Sequence, residues 1–129
     1  MSLFRTLQNQ PRIITLFTHD VASKPSSLIM QQLRAGPTDK KYEIEVHTKF
    51  PTSDQLRYMS GINSTLLQSQ IPTLANLMQK DSTYETFGKD LKDCVDRRLW
   101  NPSSALWVDW EKQRLGIDAE SVRALLEKL

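Results

Sequence analysis

Apolar side chains first gather in Ile13-Ile14-Thr15-Leu16-Phe17, a short and nearly continuous run after Pro11. Such a run predicts a strand covered on both faces, as inside a sheet flanked by helices. The polar stretch from Thr18 to Ser23 reads as a loop. Ser23-Lys24-Pro25 then predicts a helix start, with Ser23 as the cap and Pro25 in the first turn, where its missing N–H leaves no bond unmade. Leu28, Ile29 and Leu33, with Met30 beside them, form the stripe to be buried, and Gly36-Pro37 ends the helix. Tyr42-Glu43-Ile44-Glu45-Val46-His47 alternates apolar with polar, the pattern of an edge strand whose charges discourage stray pairing.

Pro51-Thr52-Ser53-Asp54-Gln55 opens a second helix that carries Leu56 and Met59 and stops near Gly61. From Ile62 to Lys80, Pro72 interrupts the apolar residues, which predicts a covering loop with short helical turns. Phe87, Leu91, Val95 and Leu99 recur every four residues and predict a third helix from Ser82 to Trp100. Asn101-Pro102 breaks the chain before an apolar strand from Ala105 to Trp110. A tight turn around Trp110-Glu111-Lys112 leads to a partner strand from Gln113 to Ile117. Asp118 caps a last helix with Val122, Leu125, Leu126 and Leu129 on its buried side and Lys128 favourably placed in the last turn. The order is β-α-β, then helices, then β-β-α. A parallel pair joined to an antiparallel hairpin and a closing helix is the thioredoxin arrangement, so an α/β thioredoxin-like fold with a mixed four-stranded sheet is expected. No internal repeat or low-complexity tract is present.

Length fits one domain, 1–129, in which 1–12 is an N-terminal arm. Apolar content of 39% and charged content of 25% belong to a globular chain rather than a disordered one. A net charge of +2, with acids interleaved among the bases, forms no single-sign stripe and argues against a nucleic-acid partner. No apolar run reaches the roughly 20 residues of a membrane-spanning helix. The single cysteine, Cys94, rules out an internal disulfide and points to a reducing compartment. Before Asp20 the chain carries Arg5 and Arg12, no acid, and Leu3, Phe4 and Leu7 at helical spacing. That composition suits a transit peptide as well as a packed arm.

Thr86-Phe87-Gly88-Lys89-Asp90-Leu91-Lys92-Asp93-Cys94-Val95, then Leu99-Trp100-Asn101-Pro102 and Ala105-Leu106-Trp107-Val108-Asp109-Trp110-Glu111, resembles a fungal family of mitochondrial redox proteins. Gln10-Pro11-Arg12, Leu16-Phe17-Thr18, Phe50-Pro51-Thr52 with Asp54-Gln55-Leu56, and Gln70-Ile71-Pro72 extend the resemblance over nearly the whole chain. It implies a thioredoxin-like fold, a mitochondrial address, reduction of small toxic molecules, and Cys94 as the active-site residue. A weaker similarity runs to the arsenate-reductase branch of the same fold, which places its cysteine in the first loop, where this chain has none.

In thioredoxin-like enzymes the reactive thiol sits at the N-terminus of the first helix, where free N–H groups and the helix dipole favour a thiolate. Here that segment is Ser23-Lys24-Pro25-Ser26, with hydroxyls where a Cys-x-Pro-Cys motif has sulfurs. Dithiol cycling is therefore excluded. Ser23, Lys24 and Ser26 remain candidates to hold an anion or a thiol ligand, or they form a capped helix start and nothing more. Cys94 reads either as core filler or as the thiol of a one-cysteine cycle, regenerated by glutathione or another thiol. Arg97 and Arg98, three and four residues on, would favour its thiolate, and Asp90 would oppose it. His19 is a candidate base or a plain loop histidine, and Trp100, Trp107 and Trp110 suit either a ligand patch or the core. Pro102 precedes the third strand, though with Ser103-Ser104 between, as a thioredoxin-like proline would. No spacing suited to a metal site is present, and a metal is not expected. Two functions follow: an oxidoreductase acting on a small molecule with a thiol co-substrate, or an inert module binding a protein or a small anion.

Overall fold

The computed structural model describes residues 12–35 and 42–127. Ile14 and Leu16 point to one side of the first strand, β1 (Arg12–Phe17), and Thr15 and Phe17 to the other; all four are buried. This two-sided burial makes β1 a central strand. It pairs in parallel with β2 (Tyr42–His47) and antiparallel with β3 (Leu106–Asp109), which pairs antiparallel with β4 (Arg114–Gly116). The sheet order is β2-β1-β3-β4, so the alternating segment Tyr42–His47 stands at an edge, as its pattern predicts.

Helix α1 (Lys24–Arg34) and the last helix, α5 (Ala119–Glu127), cover one face of the sheet, where Ile14, Leu16, Ile29, Leu33, Trp107 and Val122 share one core cluster. The opposite face is covered by α2 (Ser53–Gln70), α3 (Leu74–Leu77) and α4 (Leu91–Asp96), whose apolar side chains close over Phe17, Leu106 and Val108. Among the described residues the chain is thus an α/β structure with a mixed four-stranded sheet and five helices. The predicted element order holds. Residues 1–11 of the N-terminal arm, the Gly36-Pro37 stop, Lys128 and Leu129 lie outside the described residues; Arg12, assigned to the arm, begins β1 instead.

Leu28, expected in the buried stripe of α1, is exposed, and two helices differ from expectation in their bounds. The second does not stop near Gly61 but runs on to Gln70, so most of the predicted covering loop is helical. Thr52 and Gln55 form a reciprocal capping box at its start. Asn63 leaves the helical region, and its side-chain oxygen accepts from Leu66 N at 3.0 Å, capping the next turns and restarting the helix. The predicted helix from Ser82 to Trp100 is only Leu91–Asp96. Gly88 takes φ +82°, and residues 88–91 instead bond the chain after β2: Gly88 N to Phe50 O, Phe50 N to Lys89 O, and Leu91 N to Thr48 O. Those backbone bonds outcompete helix propensity in that stretch.

Candidate functional site

The end of β1 and the start of α1 meet through hydroxyl groups. Thr18 N extends the ladder to His47 O at 3.1 Å, and the Thr18 side chain turns inward, fully buried. Ser23 Oγ donates to Ser26 Oγ at 3.0 Å, Ser26 Oγ lies 2.5 Å from Thr18 Oγ1, and Thr18 Oγ1 donates to Asp20 O at 3.0 Å. Every proton in this chain has an acceptor inside the protein. Ser23 occupies the cap position of α1, but its hydroxyl bonds Ser26 rather than a helix amide. Of the three residues considered for an anion or thiol ligand, only Lys24 is exposed; Ser26 is sealed and Ser23 is half-buried.

Beside this turn lies a cleft of about 440 Å³. Its walls are His19, Asp20 and Val21 from the β1–α1 loop, Thr48 after β2, and Asp90, Lys92 and Asp93 at the start of α4. The bonds between 48–50 and 88–91, with a Lys49 Nζ to Asp90 Oδ1 pair at 2.7 Å, fix the far wall. His19 contributes a buried Nδ1 with no hydrogen-bond partner among the described residues. Thr48, Lys92 and Asp93 had no sequence signal, because the three segments meet only through the fold.

Cys94 lies one residue behind that wall, with its thiol on the other side. Its relative exposure is 0%, and it packs in the core cluster of Phe17, Phe50, Leu91 and Trp100. Burial pushes the Cys94 thiol above its ordinary range; Lys89 and Arg97 pull it down, and Asp93 and Asp90 push it further up. Burial prevails, so the thiol is protonated at neutral pH in this arrangement. Arg98, expected to share the helix face of Cys94, lies past the helix end with φ 61°. There it makes a Schellman turn: Arg98 N bonds Val95 O at 3.0 Å, and Leu99 N bonds Cys94 O at 2.7 Å.

The tryptophans do not converge on a ligand patch. Trp100 and Trp107 are core residues on opposite faces of the sheet, and Trp110 donates to Thr15 Oγ1 at 2.8 Å. Pro102 lies in a turn before β3. Among the described residues no group of three or more His, Cys, Asp or Glu side chains is placed to hold a metal ion, and no helix is long and apolar enough to cross a membrane.

A family model described as "Protein of unknown function (DUF1687)" matches residues 4–118. Curated relatives named "Putative redox protein FMP46, mitochondrial" include one from Candida glabrata, 49% identical over 129 residues and 99% of each chain. The Saccharomyces cerevisiae relative of that name is 46% identical over 119 residues, 90% of each chain. A solution NMR structure of protein YKR049C from Saccharomyces cerevisiae is 42% identical, covers 95% of each chain, and superimposes with a TM-score of 0.55.

Proposed function

The chain belongs to the DUF1687 family, and from that premise we propose that it is a redox protein whose thiol chemistry runs through Cys94. All four curated relatives are named mitochondrial, and that address holds for this chain. The strand order β2-β1-β3-β4, with one parallel and two antiparallel pairings and a helix after β1, supports reading the chain as a single thioredoxin-like domain. In such a domain the β1–α1 loop borders the site of chemistry. The observation that carries the proposal is the position of Cys94 directly behind the cleft wall, next to Asp93, where this loop faces α4.

The resting thiol is covered and protonated, so reaction requires α4 to open. A six-residue helix is too short to be stable alone and is held by its packing. Once opened toward the cleft, the sulfur loses the burial that raises its pKa and regains thiolate character. The thiolate then attacks an electrophilic oxygen. For a peroxide the O–O bond breaks, the departing oxygen takes a proton, and Cys94 is left as a sulfenic acid. One glutathione or other thiol displaces water to give a mixed disulfide. A second thiol removes the first as a disulfide and restores Cys94 to its thiol.

A second reading is favoured by that same burial: an inert thioredoxin-like module that binds a protein or a small anion, in which Cys94 is a core residue. Hydrogen peroxide followed by glutathione, with mass spectrometry of the intact chain, separates the two. The redox reading expects one glutathione adduct per chain at Cys94, reversed by excess glutathione and absent in Cys94→Ser. A folded wild-type protein that forms no adduct over hours would leave only the binding module.

A further inference from the structure

The end of the sheet farthest from the cleft gathers Arg12, Lys112 and Arg114 around Asp109 and Glu111. Asp109 is fully buried, and both its oxygens are engaged: Oδ2 by Arg12, with Nε at 2.8 Å and Nη2 beside it, and Oδ1 by Lys112 N at 3.1 Å. Arg114 stands directly across the hairpin from Asp109. Arg12 thus takes the Asp109 carboxylate, and Glu111, exposed in the turn beside Lys112, makes no ion pair among the described residues. Among the described residues neither Lys112 nor Arg114 has an acid within ion-pair distance.

These two cations border a pocket of about 400 Å³ between the β3–β4 hairpin and α5, whose other walls include Trp107, Leu115, Ala124 and Leu125. The polar groups deeper in are already used: Trp107 Nε1 donates to Ser121 Oγ at 2.8 Å, and Ser121 Oγ donates to Asp118 O at 2.8 Å. The pocket therefore offers a ligand apolar walls and two bordering cations that make no ion pair among the described residues. A volume in this range suits a small molecule. Apolar walls favour a hydrocarbon or aromatic body by the area they remove from water, and the cations favour an acidic head.

We propose that this pocket binds a small amphipathic anion, with its acidic head on Lys112 and Arg114 and its apolar body against Trp107 and Leu125. Ile14 lies opposite Asp109 near the start of β1, whereas the cleft lies beyond its end at Phe17. The pocket is therefore separate from the Cys94 site and stands or falls independently of the redox reading.

Octanoate titrated into the full chain, followed by backbone amide shifts, tests the proposal. Octanoate is expected to move the amides of 112–116 and 121–125 and to leave those of 19–21 and 90–93 in place. Octylammonium at the same concentrations should not bind there. Lys112→Gln with Arg114→Gln alters two exposed side chains and should weaken octanoate about tenfold, the effect of losing two solvent-screened contacts. Ala124→Trp, at another exposed position, narrows the pocket and should weaken octanoate as well. Octyl phosphate binding in the same place supports an acidic head of either kind. The proposal is overturned if octanol binds as tightly as octanoate, if inorganic phosphate alone does so, if the double variant binds unchanged, or if no amide of the pocket moves.

Discussion

Cys94 holds its proton because its side chain has exchanged water for aromatic and aliphatic neighbours, a cost borne by the charged form alone. Unfolding returns the thiol to a pKa of about 8.5, so on raising the pH the unfolded chain deprotonates first. The thiol's contribution to stability is complete below that value and is lost as pH rises through the higher folded one. Tyr42, whose phenol burial also raises, adds a loss of the same sign at higher pH. Denaturant midpoints measured from about pH 7 to about pH 10 should therefore fall more steeply for the wild type than for Cys94→Ala. Parallel curves would mean that the thiol is not held protonated. Four residues on, Arg98 adopts φ 61° to close the turn after α4. A left-handed conformation costs a side-chain-bearing residue about 1–2 kcal/mol, partly offset by the greater unfolded entropy of glycine. Arg98→Gly should stabilise the protein by about 0.5–1 kcal/mol in urea unfolding, the net of those two effects.

At the scale of elements, regular periodicity was readable and its interruptions were not. The run of Ile13 to Phe17, the alternation of Tyr42 to His47 and the Asp118 cap each announce their structure, because the local pattern and the tertiary environment agree. Gly61 looks like a stop, yet α2 passes through it, and Asn63 both breaks the helix and caps its continuation. Phe87, Leu91, Val95 and Leu99 keep a helical spacing, but Gly88 and the bonds to 48–50 divert the chain before Leu91. The candidate site suffered more from this than the fold did. With α4 reduced to six residues, the position of the thiol depends on which face meets the core, and the cleft walls come from three distant segments. The hairpin offers a local test of such packing. A Cβ added at Gly116 would lie 2.6 Å from Trp107 Nε1 and closer still to Ser121 Oγ, on the hydrogen bond that ties α5 to β3. Gly116→Ala should lower stability by about 1–3 kcal/mol through overpacking, read as a reduced melting temperature.

For the whole molecule, the question is whether Cys94 is reached by opening one part or by unfolding everything. The sheet is anchored at its far end by Arg12 and Asp109, a buried ion pair that joins β1 to β3. Asp109→Ala leaves the Arg12 guanidinium buried and unpaired, and should cost about 3–5 kcal/mol of global stability. The segment over the thiol is held differently, by the backbone bonds between 48–50 and 88–91 and by a helix of six residues, a local unit of the kind that opens below the global free energy. These two modes of exposure predict opposite responses. If α4 opens locally, the native alkylation rate of Cys94 should hardly depend on dilute urea, and Asp109→Ala should leave it nearly unchanged despite the lost stability. Gly88→Val, which forces a branched side chain into φ +82°, should instead speed alkylation. If only global unfolding exposes the sulfur, Asp109→Ala should raise the rate by the full factor of its destabilisation, about 100-fold or more. That second outcome would leave the thiol without a native route to any substrate, and the redox cycle would lose its physical basis.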